Sequence, residues 1–164
     1  MAIPAQLALW FLPFVLPLCF YVAFTDMREM RITNQSVIVL AVIFLLIAPF
    51  FLPLPVFGWQ VAQLAIVLVA GIVLNGAGAI GAGDAKFAAA AAPYVFLPDI
   101  GILVMVFAAN LLAAFTTHRL AKYTALRRVA PGWKSWEMGL KFPMGLSLGG
   151  TLAIYLGLGA LYGA

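Results

Sequence analysis

Charge is what this sequence has least of. Only 9% of its 164 residues are Asp, Glu, Lys or Arg, against 66% hydrophobic residues and a mean hydropathy of +1.13. So little polar surface cannot cover a water-soluble globule, which excludes a soluble fold and leaves lipid as the main solvent. Cysteine is nearly absent too. The single Cys19 excludes an intramolecular disulfide and a cysteine-based zinc site, and the lone His118 has no second histidine to share a metal with; no metal site and no cofactor are expected. No basic residue precedes the first apolar run, so that run lacks the charge pattern of a cleaved signal peptide and is expected to stay in the mature chain.

What the chain does have is long uncharged stretches. Residues 6–25 form the first, and Pro13 and Pro17 inside it are tolerable in a membrane helix. Residues 32–83 are uncharged and long enough for two crossings, divided by the turn-forming segment 53–58. Residues 87–117 carry only Asp99, where Pro98 and Gly101 mark a second reversal. The crossing before that reversal, residues 85–98, is short: about 21 Å at 1.5 Å per residue, against a hydrocarbon core of about 30 Å. Residues 119–141 read as a basic surface loop with room for an interfacial helix, and residues 142–164 as a final crossing.

The basic residues decide the topology. Arg28 and Arg31, then Lys86, then Arg119, Lys122, Arg127, Arg128, Lys134 and Lys141 make up all nine Lys and Arg. With six spans every one of them falls on the same side, the cytosolic one, and both termini lie outside; five spans would put one group on the wrong side. The expectation is therefore an all-α, polytopic six-helix bundle, residues 1–164 forming one transmembrane domain. Bases collected at a membrane edge fit anionic headgroups, not nucleic acid. Stripes of small residues, such as Gly145 with Gly149 and the run 88–92, indicate close helix packing first and a homo-oligomer second.

Ionisable residues at membrane depth are costly and call for a reason. Asp26 ends the first span and Asp84 lies in Gly81-Ala82-Gly83-Asp84 between the third and fourth, on the same face by the charge argument. Two carboxylates held close cannot both ionise, so they share a proton; one can then activate water as a base while the other donates to a peptide carbonyl. Gly81 and Gly83, without Cβ atoms, let the chain turn sharply and a substrate backbone approach. Lys86 follows two residues later, either near the carboxylates or simply marking the cytosolic boundary. Asn34 is expected to cap the second span, Asn75 and Asn110 to bond across helices, His118 to snorkel at the interface, and Trp10, Trp59, Tyr94, Trp133, Trp136 and Tyr155 to include the interface anchors.

These residues carry a resemblance. Asp26-Met-Arg-Glu-Met-Arg-Ile32-Thr33-Asn34, followed by Gly81-Ala-Gly-Asp84-Ala-Lys86-Phe87 and a closing Phe142-Pro143-Met-Gly-Leu, resembles the type IV prepilin peptidases. That family typically has an Asp, an Ile-Pro-Asn six to eight residues on, and a GxGD motif opening a helix beside a Lys. Thr33 replaces the usual Pro, which leaves the entry into the second span less rigid. The four-cysteine zinc loop of longer members, linked to methyl transfer, is absent, so the chain is similar to the short branch serving tight-adherence (Flp-type) pili. The resemblance implies an aspartyl endopeptidase with Asp26 and Asp84 catalytic and Gly81, Gly83, Lys86 and Asn34 shaping the loop or binding substrate. It also implies a location in the bacterial inner membrane and a prepilin partner whose short basic leader, which Glu29 could meet, is cut on the cytosolic side, next to the prepilin's apolar helix.

The residues alone leave two rivals open: a small ion-coupled transporter with the aspartates as a cation or proton site, and a structural subunit of a larger assembly. A transporter is expected to hold its acids near the midplane.

Overall fold

Sequence-dictated stripes of small and apolar residues set how the helices meet. The computed structural model describes residues 1–139 and 141–164, and these are helical, with no strand among them. The helices are α1 (Ala5–Glu29), α2 (Asn34–Ile47), α3 (Leu54–Gly76), α4 (Ala82–Ala91), α5 (Ile100–Tyr123) and α6 (Met144–Tyr162). Of these, α1, α3, α5 with the 3-10 turn before it, and α6 are long and apolar enough to cross a bilayer. The other two are shorter. The 14 residues of α2 are extended by a three-residue 3-10 turn, and α4 has 10 residues, only about 15 Å of helix.

One stripe organises α1. Leu7, Phe11, Val15, Cys19, Val22 and Asp26 recur every three or four residues and are all buried, whereas Trp10, Phe14, Phe20 and Phe24 face outward. Against the stripe lies α6, brought close by glycine: a Cβ at Gly149 would sit 2.9 Å from the Cys19 carbonyl oxygen, and one at Gly159 would sit 2.7 Å from Ile3. Small residues thus serve packing within the chain, where dispersion between close backbones does the work that hydrophobicity cannot do in lipid. Phe11, Phe44 and Tyr94 pack ring to ring, and the Tyr94 hydroxyl donates to the Leu40 carbonyl at 2.7 Å. That cluster ties α1 and α2 to the turn that follows α4.

The bundle has two distinct ends. At one, the Met1 ammonium donates to Tyr162 O at 2.9 Å and the Ala5 N–H to Ala164 O at 3.0 Å. Asp99, 3% exposed, joins them there: its carboxylate accepts from the N–H groups of Ala2 (2.8 Å) and Ile3 (3.2 Å) and from the Tyr155 hydroxyl (2.9 Å). At the other end meet the α1–α2 connection, the α3–α4 loop and the start of α6. The chain therefore passes between the ends in alternating directions.

Several side chains depart from expectation. Thr33, not Asn34, is the N-cap of α2, its hydroxyl accepting from the Ser36 N–H at 3.3 Å; the residue in the usual proline position supplies a cap that Pro cannot. Asn75 does not cross to another helix but donates to Ile80 O (2.8 Å), closing the α3–α4 loop, whereas Asn110 does cross, donating to Ser147 O (2.8 Å). Arg119 and Lys122 belong to the last turns of α5, and the remaining basic segment holds two 3-10 turns where an interfacial helix had room. His118 does not snorkel. It is 1% exposed, stacked on Trp136 at 5.0 Å and edge-on to Phe142 at 5.6 Å, and Trp136, itself buried, donates its indole N–H to Ala130 O. Aromatic stacking between two bulky rings outweighed exposure of the one imidazole.

Candidate active site

The end of α1 delivers the first carboxylate. Met30 terminates the helix in the left-handed conformation (φ 55°) and its N–H donates to Asp26 O at 2.8 Å, which turns the chain off the helix. Asp26 continues the buried stripe and so points into the bundle, 6% exposed. There it meets the N-terminus of α6. Pro143 precedes that helix and offers no side-chain cap, which leaves the first N–H groups in need of an outside acceptor. Asp26 Oδ2 is that acceptor, 2.6 Å from the Gly145 N–H. The positive end of a helix thus faces the carboxylate.

The glycine loop delivers the second. Gly81 is the N-cap of α4 and Asp84 lies in its first turn. The carboxylate folds back so closely that a Cβ on residue 81 would stand 2.6 Å from Asp84 Oδ2. A Cβ on Gly83 would meet Ile32 Cβ at 3.3 Å, which shows how near the loop lies to the α1–α2 connection. Burial pushes the Asp84 carboxyl above the usual carboxylate range, and the hydrogen bond from the Gly81 N–H pulls against it.

Both carboxylates line one cleft of about 750 Å³, close enough for the Asp84 charge to act on Asp26. Its walls include residues 78–83 together with Arg31, Asn34, Lys86, Lys141, Phe142 and Met144. Lys86 Nζ donates to Asn34 Oδ1 at 3.0 Å, bridging α4 to the first residue of α2. Of the residues singled out from sequence, Asp26, Asp84, Gly81, Gly83, Lys86 and Asn34 all line this cleft; Glu29 does not, and leans toward Arg28 at 3.8 Å. Among the described residues no three His, Cys, Asp or Glu side chains converge as a metal-ligand set.

Sequence reasoning read Gly145 only as a packing residue and Arg31 and Lys141 only as boundary charges, not as parts of the site. A signal for the first was present: a helix start with Pro and no Ser, Thr, Asp or Asn ahead of it has orphan donors to satisfy.

Two carboxylates thus open onto one cleft beside a glycine loop, at one end of a bundle whose long apolar helices are those of a multi-pass membrane protein. Comparison with curated proteins and with solved structures finds no match. The family model of the type IV leader peptidase family matches residues 13–118, more than half of the chain and both aspartate-bearing segments. The chain therefore belongs to the type IV leader peptidase family and is a prepilin leader peptidase by membership.

Proposed function

We propose that the protein is a membrane-embedded aspartyl endopeptidase that removes the basic leader of Flp-type prepilins at the cytosolic face of the bacterial inner membrane. Asp26 and Asp84 are its catalytic residues. The observation that carries this reading is that the two acids, 58 positions apart in sequence, open onto one cleft beneath a glycine loop.

With one proton between them, the ionised carboxylate takes a proton from water as the water attacks the scissile carbonyl, and the protonated one donates to the carbonyl oxygen. The Gly145 N–H and the α6 terminus hold Asp26 in orientation. The loop at 78–83 lets an extended peptide lie close to Asp84, since Gly81 and Gly83 present backbone where side chains would intrude. Lys86, steadied by Asn34, supplies positive charge on the cleft wall. The chemistry so described uses two carboxylates and water, without a cofactor.

Basic residues gather at the cleft end, as Arg31, Lys86 and Lys141 line it and Arg119 donates to Gly139 O, which favours a cytosolic cleft with six passes and both termini outside. The acids lie at a helix end, not at mid-bundle, which favours hydrolysis over ion coupling.

The test is cleavage of a leader-bearing prepilin by the purified chain in detergent or liposomes. Asp26→Ala and Asp84→Ala should each abolish it. Undiminished cleavage by either variant overturns the assignment.

A further inference from the structure

A second concavity lies further along α4 from the site. It has a volume of about 350 Å³ and lies between α3 and α5, with α4 and α6 as its floor. Val67 forms one wall, Leu103 and Phe107 the other, and Ala88 and Ala91 the floor. Ala88 and Ala91 lie four and seven residues after Asp84, hence on its face of α4. The alanine run is divided accordingly: Ala89 and Ala90 are buried against neighbouring helices, while Ala88 and Ala91 face the groove with only a methyl group each.

Resting on the protease reading above, we propose that this groove seats the apolar segment of the substrate that follows the scissile bond, bound as an α-helix. Continuity places it, because the groove begins one helical turn below Asp84 on the same face of the same helix. Chemistry selects the conformation. The lining offers a guest only Gln63 and Thr151 as polar partners, and Gln63 already donates to Gln60. An extended strand would leave its amides unpaired at membrane depth, whereas a helix satisfies them internally. The glycine loop above has the opposite character, with backbone open to an extended peptide. The substrate is therefore extended across the carboxylates and helical below them, with the cut at the junction. Alanine methyls on the floor let the two helix backbones approach closely.

Disulfide trapping tests this in the Asp26→Asn chain, which keeps substrate uncut, mixed in liposomes with a prepilin carrying single cysteines along its apolar segment. Ala88→Cys and Ala91→Cys should each trap the prepilin, at positions displaced from one another by about three residues, since both helices rise 1.5 Å per residue. Trapping only of a second copy of this chain, or no trapping because lipid fills the groove, overturns the proposal. In the otherwise unaltered chain, the groove-filling Ala91→Phe should slow cleavage of the membrane-embedded prepilin at least tenfold, yet slow a soluble peptide ending just after the cut less than twofold. Equal slowing of both, or of neither, also overturns it. Should the unaltered chain cut neither substrate, the protease reading fails while the trapping pattern still decides the docking.

Discussion

The Gly145 N–H donates to Asp26 Oδ2 at 2.6 Å across 119 positions of sequence. This contact makes the last helix part of the site, because the carboxylate caps α6 and α6 fixes the carboxylate. Residue 145 has no room for a side chain, since a Cβ there would stand 2.8 Å from Asp26 Cβ. Gly145→Ala should therefore displace Asp26 and lower the cleavage rate by about 10², while circular dichroism retains the helical signal. Normal turnover by this variant would show that Asp26 tolerates displacement.

Gly81 and Gly83 differ in what they face. The neighbour of Gly81 is the free end of the Asp84 side chain, which can swing away, whereas the neighbour of Gly83 is the Cβ of Ile32. Gly81→Ala should cost activity with little change in melting temperature, and Gly83→Ala should lower both. A reversed pattern, measured by cleavage and thermal unfolding on the same preparations, would contradict the placement of the loop.

Asp84 is held above the ordinary carboxylate range by burial. Such a group binds its proton more tightly folded than unfolded, so stability falls as pH rises through the window between the ordinary and the raised value, and the full penalty is present above it. Asp84→Asn removes the ionisation and keeps an acceptor for the Gly81 N–H. It should abolish cleavage and raise the melting temperature at neutral pH, with the gain shrinking as pH falls through that window. A lower melting temperature at neutral pH would refute the burial argument.

Asp99 supplies the contrast. Its carboxylate serves two backbone N–H groups and a tyrosine hydroxyl at the end away from the cleft. Asp99→Ala strands those buried donors and should cost about 2–4 kcal/mol of stability, with cleavage per folded molecule unchanged. Loss of specific activity in the folded fraction would place Asp99 in the machinery instead.

Much of this was legible in sequence because two signals were strong. Uncharged runs marked the helices, and both aspartates interrupted them where nothing but chemistry or a boundary would. Lys86 and Asn34 were singled out separately, and they turn out to be bonded to each other. What sequence could not supply were pairings set by distant packing. Asn34 reads as a cap as readily as Thr33 does, and only the backbone at 33 decides between them. His118 at the end of an apolar run looks exposed until the Trp133–Trp136 segment folds over it. Gly145 could not be tied to Asp26 without knowing that α6 lies along α1.

The shortness of α4 carries the last prediction. Ten residues give about 15 Å of helix, half the hydrocarbon thickness of about 30 Å, although both neighbours of this helix are full-length spans. On the proposed six-pass topology its first turn, with Asp84, opens to the cytosol through the cleft. Single cysteines at Arg128 and at Leu54 should label from opposite sides of intact spheroplast membranes with a charged maleimide, residue 54 from outside and residue 128 only after permeabilisation. Gly78→Cys, on the cleft wall, should share the behaviour of residue 128 and react more slowly. Labelling of residues 78 and 54 from the same side would mean that α3 does not cross, and the carboxylates would lose their common face.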